Sequence, residues 1–335
     1  MALTRARPSR PVASILFMIS PCVSFPRPAS VRDTRACHHT PPPGGTQASC
    51  PRAHRPLTTG PARCIFVMMQ KGFCPLVVIR GAGDMGTGVA LELWRAGLHR
   101  LVLLECARPR AIRRFVVFSE AVFEGVARVE GLEARLCPDV PSCRALWQDG
   151  GLPLLVDEDG ASLRELCPQV FVDATMSKKG RGLSPDMADL VIALGPGIEA
   201  GRDVHCVIES FGPDMGRCLW RGQALADTGI PCEHGRTEQR VGRAPCAGIF
   251  SSPLSLGGHV LQGREVGRVD GVPVTAPLSG RLRGLLRSGL PVRAGAKVCD
   301  IEPLDHVPLD HVSSRARCLG RGVLRAMAAR YNLPT

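Results

Sequence analysis

The chain of 335 residues is 44% hydrophobic and 21% charged, the balance of a folded protein with room for two or three cores rather than a disordered polypeptide. Its net charge of +12 suggests a polyanionic partner, but ten basic residues against the single acid Asp33 fall within the first 75 positions. The remainder is only mildly basic and, with 4% aromatics in the chain, lacks the stacking rings of single-strand binders, so the composition excludes nucleic acid as a partner.

Residues 1–70 read as a disordered or non-native basic extension. They are rich in proline ("PPPGG", "PRPAS") and carry no sustained apolar period. "VASILFMISPCVSF" imitates a signal peptide, yet it lacks a good cleavage site, and a start at Met68 or Met69 fits the folded part better. No apolar run reaches the length of a spanning helix, so no membrane association is expected. The ten cysteines after position 75 are scattered without a C-x-x-C pair, as reduced thiols of a cytoplasmic protein would be.

Residues 71–240 read as an α/β domain. "LVVI" (76–79) has the continuous apolar character of a strand buried on both faces. Gly81, Gly83 and Gly86 follow in G-x-G-x-x-G order, with Asp84 between the last two. Met85, Val89, Leu93 and Ala96 then recur at helical spacing up to Gly97. "RLVLLE" is a second strand ending on Glu105, where a dinucleotide fold places the acid for ribose hydroxyls. The expected fold is therefore a Rossmann-like parallel sheet, with the glycines seating a pyrophosphate. Arg113 and Arg114 belong to a basic cluster beyond Glu105 that reads either as an anion clamp or as a solvated helix start. Glu120 and Glu124, four apart, read as surface glutamates or as an acid–base pair.

"VFVDAT" (170–175) is a further strand, and its end releases Asp173 and then Lys178, both candidate ligand contacts. In "LVIALGPGIEAGRDVHCVIES" (190–210), Gly195 and Gly197 can turn backbone amides toward an anion. His205 and Glu209 share a strand face, as a base with its orienting acid, as metal ligands, or as ordinary hydrogen-bonded side chains.

Residues 241–303 hold a repeat. Ala244-Pro245 recurs as Ala276-Pro277, Gly248 matches Gly280, and Gly263 matches Gly295 without a gap. This pattern resembles the biotinyl/lipoyl-like barrel-sandwich fold, but the turn between the halves offers no lysine, so biotin or lipoate attachment is not expected. Residues 304–335 read as a linker and a C-terminal helix capped by Ser313 or Ser314. Asp305, His306, Asp310 and His311 sit among linker prolines, and no metal site is expected there.

"VVIRGAGDMGTGVALELWRAG", "RPRAIRRFVVFSEAVFEG", "VDATMSKKG", "VIALGPGIEAGRDVHCVIES" and "DTGIP", in this order, make residues 76–328 similar to the YqeB family. Members of that family are accessory proteins associated with selenium-dependent molybdenum hydroxylases. The resemblance implies a cytoplasmic role in maturing such a hydroxylase, with molybdopterin dinucleotide or another nucleotide as ligand and the client or its maturation machinery as partner. This chain departs from the family at "FGPDMG" (211–216) and in the run after "KK". Two alternatives stay open: an NAD(P)-dependent oxidoreductase with His205 as acid–base, and a non-enzymatic docking scaffold.

Overall fold

The computed structural model describes residues 74–177, 182–226 and 238–331, all within a unit spanning Pro56–Thr335. Its first half is built on strands β1 (Val77–Arg80), β2 (Leu101–Glu105), β3 (Val126–Val129), β4 (Leu132–Cys137), β5 (Leu152–Val156), β6 (Val170–Asp173), β7 (Leu190–Leu194), β9 (Cys206–Ile208) and β10 (Cys218–Leu219). They form one sheet in the order β10-β9-β7-β6-β1-β2-β5-β4-β3. β8 (Glu199–Ala200) and β11 (Gly222–Gln223) pair separately. Helices α1 (Asp84–Arg95) and α5 (Ser314–Arg330) cover one face, while α3 (Val140–Gln148) and the short α4 (Leu163–Leu166) pack on the other.

This arrangement corrects the expected Rossmann-like parallel sheet. The sheet is mixed: β10 and β3 run antiparallel to their neighbours at the two edges, and β5 lies between β2 and β4. The departure begins after β2, where a short helix α2 (Ala121–Glu124) leads into the β3–β4 hairpin rather than into a parallel return strand. The hairpin turns on Glu130 and Gly131, at φ +48° and +85°, the two positive values a tight primed turn requires. Glu-Gly is a weaker turn signal than Asn-Gly or Asp-Gly, and the hairpin escapes a reading by motif.

Glu130 then acts as a fastener. Its carboxylate accepts from Arg95 of α1 (2.5 Å), Arg317 of α5 (2.6 Å) and the Val312 amide (2.8 Å). Burial pushes its pKa upward, but the hydrogen bonds from Arg95, Val312 and Arg317 outweigh that and hold it at about 2, below the ordinary 4.5. A carboxylate depressed in this way stabilises the fold above its unfolded-state pKa and ceases to do so as pH falls through the folded value. Glu130→Gln is therefore expected to cost about 3 kcal/mol at neutral pH. In urea unfolding, the two proteins should converge as the medium is acidified from pH 4.5 towards about 2.

The expected C-terminal helix is present as α5, capped by the Ser313 side chain on the Ala316 amide, with Ala316, Leu319, Val323 and Met327 buried. Gly320 accounts for its packing on α1. A side chain at Gly320 would lie 2.9 Å from Glu92 and from the Gly88 carbonyl, and one at Gly88 would lie 2.5 Å from Ala316. The two helices thus approach backbone to backbone, Gly88 against Ala316 and Glu92 against Gly320.

The second half contains β12 (Val241–Arg243), β13 (Gly248–Ser251), β14 (His259–Val260), β15 (Glu265–Val269), β16 (Val272–Thr275), β17 (Gly280–Leu285), β18 (Pro291–Val292) and β19 (Lys297–Glu302). Here too the expectation needs correction. The eight strands do not make a biotinyl/lipoyl-like barrel but divide into two antiparallel sheets, β12-β19-β17-β14 and β16-β15-β13-β18. The internal repeat explains the division, because each sheet is the other with the two copies exchanged. Gly248 pairs with Val292 while Gly280 pairs with Val260. The Gly263 amide donates to the Ala276 carbonyl and the Gly295 amide to that of Ala244, each at 2.8 Å.

The halves are joined where the Leu285 amide donates to the Ile112 carbonyl (2.8 Å). Beside it, Arg287 donates to both Glu120 (2.7 Å) and Glu124 (2.5 Å). Glu120 and Glu124, readable in sequence as surface glutamates or as an acid–base pair, hold the repeat in place through Arg287. Among the described residues no helix is long and apolar enough to cross a membrane.

Candidate functional site

The ends of β1 and β2, the start of α1 and the segment 109–113 form one wall of a cleft of about 490 Å³. The opposite wall comes from Arg240 just before the repeat, from Arg283, Lys297 and Asp300 within it, and from Ser313 and Arg315 at the start of α5. Gly81 and Gly83 line this cleft, and each is glycine for a different reason. Gly81 has φ +94°, and its amide donates to the Leu104 carbonyl. Gly83 has ordinary extended geometry, and nothing lies within 4 Å of where its side chain would be. Gly86 does not line the cleft. A Cβ there would lie 1.7 Å from the Gly81 carbonyl oxygen, so its task is to let α1 pack on the turn.

Two carboxylates flank the glycine turn. Glu105 lines the cleft, and its Oε2 accepts from the Ala82 amide and its Oε1 from the Cys106 amide, both at 2.8 Å. Asp84, in the first turn of α1, receives Arg113 Nη1 at 2.9 Å, and its buried Oδ1 has no partner. Cys106, which no motif signalled, is also in the lining. Burial and then the Glu105 charge push its thiol up to about 11, so it is protonated at neutral pH.

The other candidates disperse. Arg113 lines the cleft, donating to Asp84 and to the His311 carbonyl, whereas Arg114 turns away to the Leu285 carbonyl (2.9 Å) and Glu120 (3.8 Å). Asp173 is 2% exposed and spends its oxygens internally, one on Arg80 and the other on the amide and hydroxyl of Thr175. Lys178 lies outside the described residues. Gly195 and Gly197 have positive φ but do not line the cleft, and Gly195 backs onto Met176 and Ser210.

His205 and Glu209 do not form a pair. They bracket the three residues of β9, and four steps of strand rise set their backbones about 13 Å apart. The His205 ring accepts from the Val191 amide (3.0 Å), and burial, followed by the Arg330 charge, pulls its pKa below the ordinary 6.5. Glu209 is 3% exposed and accepts from the amides of Ser210, Phe211 and Leu225. Neither lines the cleft. Among the described residues no group of three or more His, Cys, Asp or Glu side chains is placed to hold a metal ion.

Beyond the basic cluster that follows Glu105, the site's charge was not legible in the sequence. Arg80, Arg110 and Arg113 line the α/β side, and Arg240, Arg283, Lys297 and Arg315 the other. Asp84, Glu105, Glu158 and Asp300 in the lining, with Asp173 and Glu302 behind it, balance most of that charge. Several of these cations are buried and held by acids: Arg80 by Asp173, Arg240 by Asp300 (3.5 Å) and Arg283 by Glu302 (3.8 Å). Such pairing fixes guanidinium groups in place, so that binding an anion costs little further ordering.

No protein-family model matches the chain. A protein of Escherichia coli K12 bearing the name "Uncharacterized protein YqeB" is 43% identical over 255 residues, which cover 75% of this chain and 47% of that protein. The chain thus spans about half the length of that relative. Among solved structures, TcdA (CsdL) matches at 13% identity over 40% of this chain and 52% of its own, with a TM-score of 0.25. An aspartoacylase family protein from Mesorhizobium loti matches at 13% identity over 69% of this chain and 86% of its own, with a TM-score of 0.22.

Proposed function

Given that the chain belongs, over its 255 aligned residues, to the YqeB family, we propose that it is a cytoplasmic accessory protein that binds a phosphate-bearing nucleotide in the cleft. The ligand proposed is molybdopterin dinucleotide or a close analogue, and the client a selenium-dependent molybdenum hydroxylase or its maturation machinery. The observation that carries the ligand class is the cleft itself, where an open glycine turn faces pre-ordered cations from the repeat. The hydride-transfer alternative would draw on His205, which lies off the cleft.

Gly83→Leu provides the test, because a Cβ at this cleft-lining position meets nothing within 4 Å. The variant is expected to keep the wild-type melting temperature and to lose nucleotide binding by at least tenfold in titration calorimetry with CTP, GTP, NAD and NADPH. Full retention of affinity would remove the cleft as the site. Binding of the nicotinamide cofactors alone would replace the accessory reading with an oxidoreductase.

A further inference from the structure

Most cations of the cleft are already engaged within the protein. Arg80 is held by Asp173, Arg113 by Asp84, Arg240 by Asp300 and Arg283 by Glu302. Lys297 and Arg315 have partners as well. Arg110 differs from all of these. It lines the cleft and is exposed, and among the described residues its guanidinium makes no hydrogen bond or ion pair. The main chain that carries it is fixed on both sides. Pro109 is buried and locks its own φ. Ile112 lies against Gly284, and its carbonyl accepts from the Leu285 amide at 2.8 Å. The cleft wall therefore holds Arg110 by its backbone and leaves its planar fork of donors open to solvent.

An anion entering the cleft meets carboxylate–guanidinium pairs on most sides. Each pair is close to neutral and attracts a further charge little, and the Asp84 and Glu105 carboxylates beside the glycine turn repel it. The unopposed guanidinium is the place where the local charge favours a negative group, and its fork matches two phosphate oxygens at once. We infer that Arg110 is the residue that takes the ligand's anionic group, and that it reads a single phosphate. This deepens the nucleotide reading of the cleft and rests on it. The basic cluster beyond Glu105 is then a clamp of one residue. Arg113 is held by Asp84, Arg114 by the Leu285 carbonyl and Glu120, and Arg108 is exposed but does not line the cleft. A second or third phosphate finds no other open cation among the described lining residues and extends towards solvent, so phosphate number adds little affinity.

The test is titration calorimetry of the full chain with CMP, CTP, GMP and GTP at one ionic strength. In wild type, mono- and triphosphate of the same base should differ by less than about threefold. Arg110→Gln should weaken both by one common factor of about tenfold, the loss of a charge-assisted fork. Arg110→Lys keeps the charge without the fork and should recover part of that loss. Arg108→Gln removes an exposed charge two residues away and should change affinity by less than about twofold. Because Arg108 and Arg110 are both exposed, the three variants should keep the wild-type melting temperature. A rise of about tenfold or more from mono- to triphosphate, an Arg110→Gln variant that binds as wild type does, or equal losses at positions 108 and 110 would each overturn the inference and leave the nucleotide site standing. If wild type binds none of the four nucleotides, the nucleotide reading falls with it.

Discussion

Gly86→Ala is expected to be among the most damaging single substitutions in the described chain, although it adds one methyl group. That methyl would sit 1.7 Å from the Gly81 carbonyl oxygen and 2.8 Å from its carbon, and neither is the movable end of a side chain. Either α1 lifts from the sheet or the turn shifts, and the turn is itself held by the Gly81 amide on Leu104 and by Thr87 Oγ1 on the Ala82 carbonyl. Overpacking against backbone of this kind costs about 3 kcal/mol or more. For a unit of this size the melting temperature should fall by about 6–12 °C. Gly83→Ala, three residues earlier in the same motif, is the control. It meets nothing within 4 Å and its backbone is extended, so scanning calorimetry should show no loss. Equal losses at the two positions would mean that the turn is not packed as described.

The second large effect concerns Asp173. It and Arg80 are 2% and 3% exposed at the side chain and face each other from the ends of adjacent parallel strands. Asp173→Ala leaves the guanidinium buried over the Phe171 ring without its carboxylate, and also frees the amide and hydroxyl of Thr175. Breaking one partner of a buried pair costs about 3–5 kcal/mol, most of it the penalty of the charge left behind. Replacing both partners with apolar residues of similar size, Arg80→Met with Asp173→Leu, should recover much of that loss in chemical denaturation. A single variant that loses less than about 1 kcal/mol would show that water reaches Arg80 and that the pair does not hold the strand ends.

These two positions show how far local sequence reaches. The order of G-x-G-x-x-G between a β-branched run and an amphipathic stretch is enough to place β1, the turn, α1 and β2, because each depends on neighbours within a few residues. The role of Gly86 follows from the same local geometry. Asp173 at the end of an apolar strand looked like a ligand contact by the same logic, yet its partner Arg80 lies 93 residues earlier in the chain. Arg80 stands just past the strand read at 76–79, and nothing local in the sequence marks it.

By itself the sequence determined the local elements, the capped helix that starts at Ser313 or Ser314, the repeat that makes two exchangeable halves, and the family. These are properties of periodicity, turn chemistry and self-similarity, all carried by residues close in the chain or recurring at a fixed offset. Only the tertiary structure decided that the sheet is mixed, that Arg114, Gly195 and His205 leave the site, and that Arg240, Arg283, Lys297 and Arg315 enter it. The reason is that a cleft wall is made by strands and helices meeting from opposite ends of the chain. A charge shows its role there only once the sheet order and the docking of the repeat bring it opposite the turn.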